Sequence, residues 1–237
     1  MVGQHNAQRY RWLLFDADGT LFDYDGAERV ALAGALEQIG VAFQPEHLAA
    51  YRRFNQEVWQ ALERGQITPE VLKVRRFERL FQAIGVDYSP AEFSARYLDA
   101  IADCAELMDG ALEVVQALRL RYRMAIVTNG LSAVQRRRFE RSALSHCIAE
   151  LIISEEIGAA KPAREFFDAT FARLGNPPKA EVLMIGDNWS SDIVGGVNYR
   201  LDTCWFNPTS QPRPNGLVIT CEIASLRELA GWLLAER

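Results

Sequence analysis

Three aspartates in two short motifs are the side chains of this 237-residue chain best suited to chemistry. Asp16 and Asp18 are separated by one residue, and Asp187 follows a glycine much later in the chain. Together they form a hard oxygen site of the kind that suits Mg²⁺. Thr128 and Lys161, from two further motifs, add a hydrogen-bond donor and a fixed positive charge. Carboxylates, a hard cation and cationic donors around one point suit phosphoryl transfer, in which catalysis depends mostly on positioning and charge stabilisation.

Each of these motifs, taken alone, also has a purely structural explanation. Two carboxylates at the end of a strand can simply be turn residues. Residues 128–130 have the composition of an ordinary junction between a strand and a helix, and a lysine before proline, as at Lys161, is most often solvated. Ser190 or Ser191 is a candidate cap for the helix that follows. The combination, rather than any single motif, therefore indicates a catalytic site.

Short apolar runs precede the motifs, and they predict the fold. Each run has about four residues and stops at a polar or glycine-containing turn; they are 12–15, 124–127, 151–153 and 182–185. Such runs are typical of buried parallel strands. Helical patterns alternate with them at 111–121, 132–143 and 163–174, and a fifth strand at 203–206 follows a helical stretch at 191–198. We therefore predict a doubly wound, Rossmann-like parallel α/β sheet, whose strand carboxyl ends bind the ligand.

The segment between the first two strands has helical patterns and no convincing apolar strand. Its four helix-like stretches are 27–39, 45–64, 68–84 and 90–105. Thr68 and Ser89 each place a capping hydroxyl before a proline, which favours a helix start. We therefore predict an inserted all-helical cap domain at 25–106 and a catalytic core formed by 1–24 and 107–237. The alternative, one continuous α/β domain, would need a strand in this segment.

Composition excludes several classes of protein. A formal net charge of −5 argues against a nucleic-acid-binding face, which needs a basic stripe. The basic cluster at 136–138 with Arg141 is accordingly interpreted as an exposed helix face. The first ten residues lack the apolar region of a signal peptide, and no stretch approaches the ~20 apolar residues of a membrane span. We expect a cytoplasmic protein without membrane association, and no obligate protein partner is apparent.

The motifs occur in a particular order, each after a predicted strand: D-x-D-G-T-L, hydrophobic-T-N-G, K-P and G-D-x-x-x-x-D. This ordered set resembles the haloacid dehalogenase-like superfamily. The resemblance covers the whole core, and the helical insertion is similar to the helical cap of that superfamily. Dehalogenases attack carbon, need no Mg²⁺ and lack the second aspartate, so Asp18 and Asp187 favour attack on phosphorus. A sugar-phosphate mutase would share both aspartates and stays open beside the commoner hydrolase.

The resemblance implies a role for each motif residue. Asp16 would be the nucleophile that forms an aspartyl-phosphate. Asp18 would be the general acid that protonates the leaving oxygen and then the base that activates water. Mg²⁺ would be held by the carboxylates of Asp16 and Asp187 and by the backbone carbonyl of Asp18.

Further roles concern the phosphoryl oxygens. Thr128, the backbone amide of Asn129 and Lys161 would hold these oxygens as charge shifts during the reaction. Asp192 would act indirectly, by orienting Lys161 or a metal-bound water. A carboxylate that merely starts a helix is the competing explanation for Asp192.

A wider pattern in core and cap resembles one branch of the superfamily, the house-cleaning pyrimidine 5′-nucleotidases. The matching stretches are 55–59, 65–68, 76–78, 126–135 and 153–162. This resemblance implies a small-molecule partner, a nucleoside 5′-monophosphate such as dUMP, UMP or dTMP. Asn55, Trp59 and Arg76 of the cap are the candidates to contact it, with burial of Trp59 in the core and solvation of Arg76 as alternatives. A small-metabolite phosphatase (phosphoglycolate-like) and a non-catalytic phospho-ligand-binding module are the competing functions.

Overall fold

The computed structural model describes residues 9–214 and 216–235, which form two compact units. The first, the α/β unit, runs to Asp23 and resumes at Ala105. The second, the helical unit, spans Tyr24–Cys104. Among the described residues, no helix is both long enough and apolar enough to cross a membrane.

A six-stranded sheet forms the centre of the α/β unit. Its strands are β1 (Trp12–Phe15), β2 (Arg123–Thr128), β3 (Glu150–Ile153), β4 (Val182–Gly186), β5 (Asp202–Phe206) and β6 (Cys221–Ile223). The spatial order is β3-β2-β1-β4-β5-β6, and every neighbouring pair is parallel. The prediction of a doubly wound, Rossmann-like parallel sheet is therefore confirmed. The chain order reverses direction beside β1, which is where ligands bind in open α/β sheets.

Helices cover the two faces of this sheet. They are α5 (Ala111–Leu118), α6 (Ser132–Arg141), α7 (Ser154–Ile157), α8 (Arg164–Arg173), α9 (Val194–Asn198) and α10 (Leu226–Leu234). Because side chains alternate along a strand, Leu13 and Phe15 of β1 pack in one apolar cluster with α5 and α10. Trp12 and Leu14 pack on the opposite face with Phe167 of α8. All four β1 residues are buried, so β1 is held on both faces.

The helical unit consists of α1 (Tyr24–Gln38), α2 (Pro45–Glu63), α3 (Pro69–Ile84) and α4 (Pro90–Asp103). Thr68 and Ser89 cap α3 and α4 as predicted, since their hydroxyls accept hydrogen bonds from the backbone N–H of Val71 and Glu92. The helices α2 and α4 both pack against α3, and α1 packs against α4. Aromatic rings fill the space between them, as in the stack of Tyr51 on Phe77 at 5.5 Å between ring centroids.

Several elements differ from the prediction or were missed by it. The predicted helix at 191–198 is instead a π-helical turn, Trp189–Ile193, followed by α9. Asn188 caps this turn in place of Ser190 or Ser191, because its Oδ1 accepts from both serine N–H groups at 3.0 Å. The strand β6 and the helix α10 lie outside every predicted element. With three residues, of which the middle one is exposed, β6 has too short an apolar pattern to be recognised.

Candidate active site

The loop after β1 brings the first and fourth motifs into contact. The backbone N–H of Asp16 donates to the carbonyl of Ile185 in β4 at 2.8 Å, so the two strand ends lie side by side. Thr20 Oγ1 donates to Asp187 Oδ1 at 2.8 Å and accepts from the Asp187 N–H at 3.1 Å. Gly19 adopts a φ of 83°, and a Cβ there would lie 2.6 Å from Asp187 Oδ2. A glycine is therefore required for this loop to approach Asp187.

Lys161 links the third motif to the first and the fourth. Its Nζ lies 2.5 Å from Asp16 Oδ1 and 2.7 Å from Asp192 Oδ1, and it donates to the Val127 carbonyl at 2.7 Å. The side chain is 1% exposed, which excludes the alternative of a solvated surface lysine. Burial alone would lower the pKa of Lys161, but the charges of Asp16 and Asp192 raise it above its ordinary value. Lys161 is therefore a permanent cation at the strand ends.

The second motif is tied to the same loop. The Asn129 side chain donates from Nδ2 to the Lys161 carbonyl and accepts from the Lys161 N–H, both at 2.8 Å. Thr128 is 2% exposed, and its Oγ1 accepts from the Gly130 N–H at 3.0 Å. The hydroxyl proton of Thr128 then remains to donate. The side-chain amide of Asn129 thus acts as a brace between two loops, whereas its predicted contact with phosphate uses the backbone amide.

Three carboxylates at this edge of the sheet offer a site for a hard cation. Asp16, Asp187 and Asp192 each provide an oxygen within 4.8 Å of the others. Burial, and then the negative charge of Asp192, raise the pKa of Asp187 to about 7. Carboxylates crowded in this way favour a divalent cation, because its charge relieves their repulsion and their oxygens are the ligands that Mg²⁺ prefers. The donor set therefore fits Mg²⁺.

Asp192 lies behind the other carboxylates and has no exposed surface. Its Oδ1 accepts from Lys161 Nζ, and its Oδ2 accepts from the Asn188 N–H at 3.1 Å. Asp192 therefore contacts Lys161 directly, which is one of the alternatives that the sequence raised. It also makes a contact at the start of the following turn, which is the other.

The Asp18 carboxylate points to a different set of partners. Its Oδ1 forms an ion pair with Arg138 Nη1, and its Oδ2 accepts from Gln135 Nε2 at 2.6 Å. Both partners lie on α6, and Arg138 has no exposed surface. The interpretation of cluster 136–138 with Arg141 as an exposed helix face is therefore wrong for Arg138, while the other three arginines are exposed.

Comparison with known proteins decides the family. A family model described as haloacid dehalogenase-like hydrolase matches residues 10–198. The chain belongs to this family. It is a hydrolase, and all four of its motifs lie in the matched region.

Relatives of this hydrolase match it over almost their whole length. Pyrimidine 5′-nucleotidase YjjG of Escherichia coli K12 is 36% identical over 224 residues, which cover 93% of this chain and 96% of that protein. Pyrimidine 5′-nucleotidase PynA of Streptococcus pneumoniae R6 is 34% identical and covers 94% and 95%, respectively. The solved structure of the HAD-hydrolase YfnB of Bacillus subtilis, bound to magnesium, has a TM-score of 0.89 at 34% identity. It covers 95% of this chain and 99% of its own.

The three candidate residues of the helical unit are not equivalent in this hydrolase. Arg76 is 2% exposed, and its Nη1 donates to Asn55 Oδ1 and to the Tyr51 hydroxyl, each at 3.1 Å. The alternative of a solvated Arg76 is therefore wrong, because aromatic rings surround the guanidinium, including Phe77 at 4.8 Å. Trp59 is half-buried. The structure thus brings Asn55 and Arg76 together within the helical unit.

Sequence reasoning missed three residues that touch the predicted site. Gln135 and Arg138 contact Asp18, and the Trp205 indole N–H donates to the Asp187 carbonyl at 2.9 Å. The sequence did carry a signal for Gln135 and Arg138, since both share one face of a helix with the apolar Val134. No comparable signal marks Trp205, because its contact with the fourth motif depends on the pairing of β5 with β4.

Proposed function

We propose that this protein is a Mg²⁺-dependent phosphatase that hydrolyses nucleoside 5′-monophosphates, preferably those of pyrimidines, through an aspartyl-phosphate. The observation that carries the proposal is the buried contact of Lys161 with Asp16 at the carboxyl end of β1. It puts a permanent cation beside a carboxylate that is itself next to two further carboxylates. Two full-length relatives named pyrimidine 5′-nucleotidase support the substrate class.

In the first step, a carboxylate oxygen of Asp16 attacks phosphorus, and the bond from phosphorus to the ester oxygen breaks. The electron pair of that bond goes to the leaving oxygen, which takes a proton from Asp18 and departs as the nucleoside hydroxyl. Thr128 and the backbone amide of Asn129 donate hydrogen bonds to the phosphoryl oxygens, and the positive charge of Lys161 offsets the negative charge that shifts between these oxygens.

In the second step, water attacks the phosphorus of the aspartyl-phosphate. Asp18, now ionised, takes a proton from this water, and the bond from phosphorus to the Asp16 oxygen breaks. Inorganic phosphate leaves and the Asp16 carboxylate is restored. Asp192 acts in both steps by holding Lys161 in place, since it accepts from Nζ without reaching solvent.

Mg²⁺ would be held by the Asp16 and Asp187 carboxylates and the Asp18 backbone carbonyl. When bound, it neutralises charge, which permits an anionic nucleophile to approach an anionic phosphate. The fit rests on the crowded carboxylates at the strand ends. It is also supported by the magnesium in the solved structure of YfnB.

The helical unit would contribute to substrate choice through Asn55, Trp59 and Arg76. We expect Arg76→Met and Asn55→Ala to raise KM for uridine 5′-monophosphate more than KM for p-nitrophenyl phosphate, which lacks sugar and base. Arg75→Met, at an exposed neighbouring position, is the matched control. Equal effects on both esters would remove these residues from substrate recognition.

The decisive experiment measures phosphate release by the purified protein with Mg²⁺ from a panel of esters. The panel contains UMP, dUMP, dTMP, purine nucleotides, sugar phosphates and phosphoglycolate. We expect pyrimidine nucleotides to have the highest kcat/KM, EDTA to silence the enzyme, and Asp16→Asn to abolish turnover. Asp168→Asn, an exposed carboxylate of the same unit, is the matched control. Preference for phosphoglycolate or a sugar phosphate would assign a small-metabolite phosphatase, and no turnover on any ester would indicate a binding module.

A further inference from the structure

We propose that Gln135 and Arg138 are positioning residues for Asp18, which hold its carboxylate in the orientation that proton transfer requires. This inference rests on the proposed function, because it takes Asp18 as the general acid and base. It concerns the orientation of the Asp18 carboxylate. It also explains why Arg138, which lies outside the four motifs, is fully buried.

Both oxygens of the Asp18 carboxylate are engaged by α6. Arg138 pairs with Oδ1, and the Gln135 amide donates to Oδ2 at 2.6 Å. The terminal torsion of an aspartate is broad, so sterics alone leave the plane of the carboxylate free to turn. Two donors on opposite oxygens remove that freedom. The Asp18 side chain is nevertheless 25% exposed, so one side of it still faces away from its partners.

Arg138 also contacts the loop that carries Asp18 at a second point. Its guanidinium lies over the ring of Phe22, with the Cζ atom 4.8 Å from the ring centroid. The Phe22 N–H donates to the Ala17 carbonyl at 2.9 Å, so this ring belongs to the same tight loop as Asp18. A buried guanidinium is expensive in free energy unless it is paired. An apolar side chain would pack against Phe22 without that expense, which indicates that the charge serves Asp18.

Gln135 connects Asp18 to the loop of the second motif. A Cβ atom at Gly130 would lie 2.8 Å from Gln135 Cγ and Cδ, which is closer than real contacts allow. The glycine after Asn129 therefore leaves the room in which the Gln135 side chain crosses towards Asp18. The Gln135 side chain therefore lies against the phosphate-binding loop while it donates to the proton-transfer group.

The test compares two esters that differ in their need for an acid. The leaving oxygen of UMP must be protonated, whereas p-nitrophenolate departs without a proton. Because kcat/KM reports the steps up to release of the leaving group, it isolates the acid role of Asp18 from the later attack by water. We would measure kcat/KM for both esters, with Mg²⁺, in wild type, Arg138→Met, Arg138→Lys and Gln135→Leu. Asp18→Asn is the reference, and Arg137→Met, an exposed position on α6, is the matched control.

We expect Arg138→Met to lower kcat/KM for UMP about 10²-fold, the effect of a misplacement of about 1 Å, while kcat/KM for p-nitrophenyl phosphate changes little. Arg138→Lys should recover part of the loss, and Gln135→Leu should shift the ratio in the same direction. A variant that is merely destabilised would lose both esters together, so the ratio separates positioning from folding.

An unchanged ratio in Arg138→Met would overturn the proposal. If Arg138→Met does not fold, an unchanged ratio in Gln135→Leu, which alters no charge, would overturn it equally. Failure of the proposed function would give a different pattern of kcat/KM values. In that case Asp18→Asn itself would lose both esters alike, or wild type would hydrolyse neither.

Discussion

Two buried cations, Lys161 of the α/β unit and Arg76 of the helical unit, have very different surroundings. Lys161 contacts two carboxylates, those of Asp16 and Asp192, at 2.5 and 2.7 Å. Arg76 donates to a hydroxyl and to an amide oxygen, each at 3.1 Å, and both acceptors are neutral. A buried charge is stabilised chiefly by an opposite charge. Lys161 is therefore neutralised by its direct contacts, whereas Arg76 is not.

The rest of the Arg76 side chain shows the same contrast. Within the part of the chain that the structure describes, its Nε and Nη2 atoms have no hydrogen-bond partner. The rings of Phe77 and Tyr97 lie 4.8 and 5.1 Å from its Cζ atom, and cation–π contact offsets only part of the cost of burial. Burial of a cation is therefore no measure of its contribution to stability. The number of carboxylates that its removal would strand is the better guide.

The largest effect is expected at Lys161. Lys161→Met would leave Asp16 and Asp192 buried and facing each other without a cation. Breaking a buried ion pair in this way costs about 3–5 kcal/mol, so we expect urea denaturation to show a fall of that size. The double variant Lys161→Met/Asp192→Asn should recover part of it, because one stranded charge is gone. A fall below about 1 kcal/mol, the level of a surface ion pair, would contradict this interpretation.

Binding of Mg²⁺ should also stabilise this cluster of carboxylates. Because Asp16 and Asp187 belong to a crowded acidic group, binding of Mg²⁺ to the folded state should raise the free energy of unfolding. At a free concentration 100 times Kd the gain is about 2.7 kcal/mol. Thermal unfolding with Mg²⁺ and with EDTA measures it. Asp187→Asn should abolish the shift and Asp168→Asn should keep it; an equal shift in both would place Mg²⁺ elsewhere.

Most of the fold was predictable because its signals are local. The apolar runs of β1 to β5 and the capping hydroxyls of Thr68 and Ser89 each depend on a few neighbouring residues. The four motifs could likewise be assigned to strand ends, and parallel strands bring their carboxyl ends to one edge of the sheet. That placement puts Asp16 and Asp187 close together, whereas Lys161 reaches them from a loop beyond α7.

The parts that escaped prediction depend on tertiary contacts. Whether Arg138 faces solvent or Asp18 depends on how α6 lies on the sheet. The neighbouring arginines favoured an exposed position for Arg138 as well. Charge counting could not distinguish them, since Arg136 pairs with Glu156 at the surface while Arg138 is buried. The Trp205 contact with Asp187 and the burial of Arg76 required the same knowledge of packing.

Arg138 should give an intermediate effect on stability. Its removal strands the carboxylate of Asp18, which is 25% exposed and so keeps some contact with water. We expect Arg138→Met to lower the free energy of unfolding by about 1.5–3 kcal/mol, the range for a hydrogen bond to a charged group. The measurement is urea denaturation beside Arg137→Met. A loss equal to that of Lys161→Met would contradict the ranking by stranded carboxylates.

The smallest effect is expected at Arg76, although it is as deeply buried as the other two. Arg76→Met removes hydrogen bonds to the Tyr51 hydroxyl and to Asn55, but it also relieves the burial of a charge with no carboxylate among its hydrogen-bond acceptors. Replacing buried charge by a well-packed apolar side chain is often neutral or stabilising. We therefore expect a change within about 1 kcal/mol of wild type, measured beside Arg75→Met. A fall approaching that of Lys161→Met would show that the charge of Arg76 is needed for the helical unit to fold. If Arg76→Met leaves the free energy of unfolding unchanged but raises KM for UMP, the charge of Arg76 serves substrate recognition and not stability.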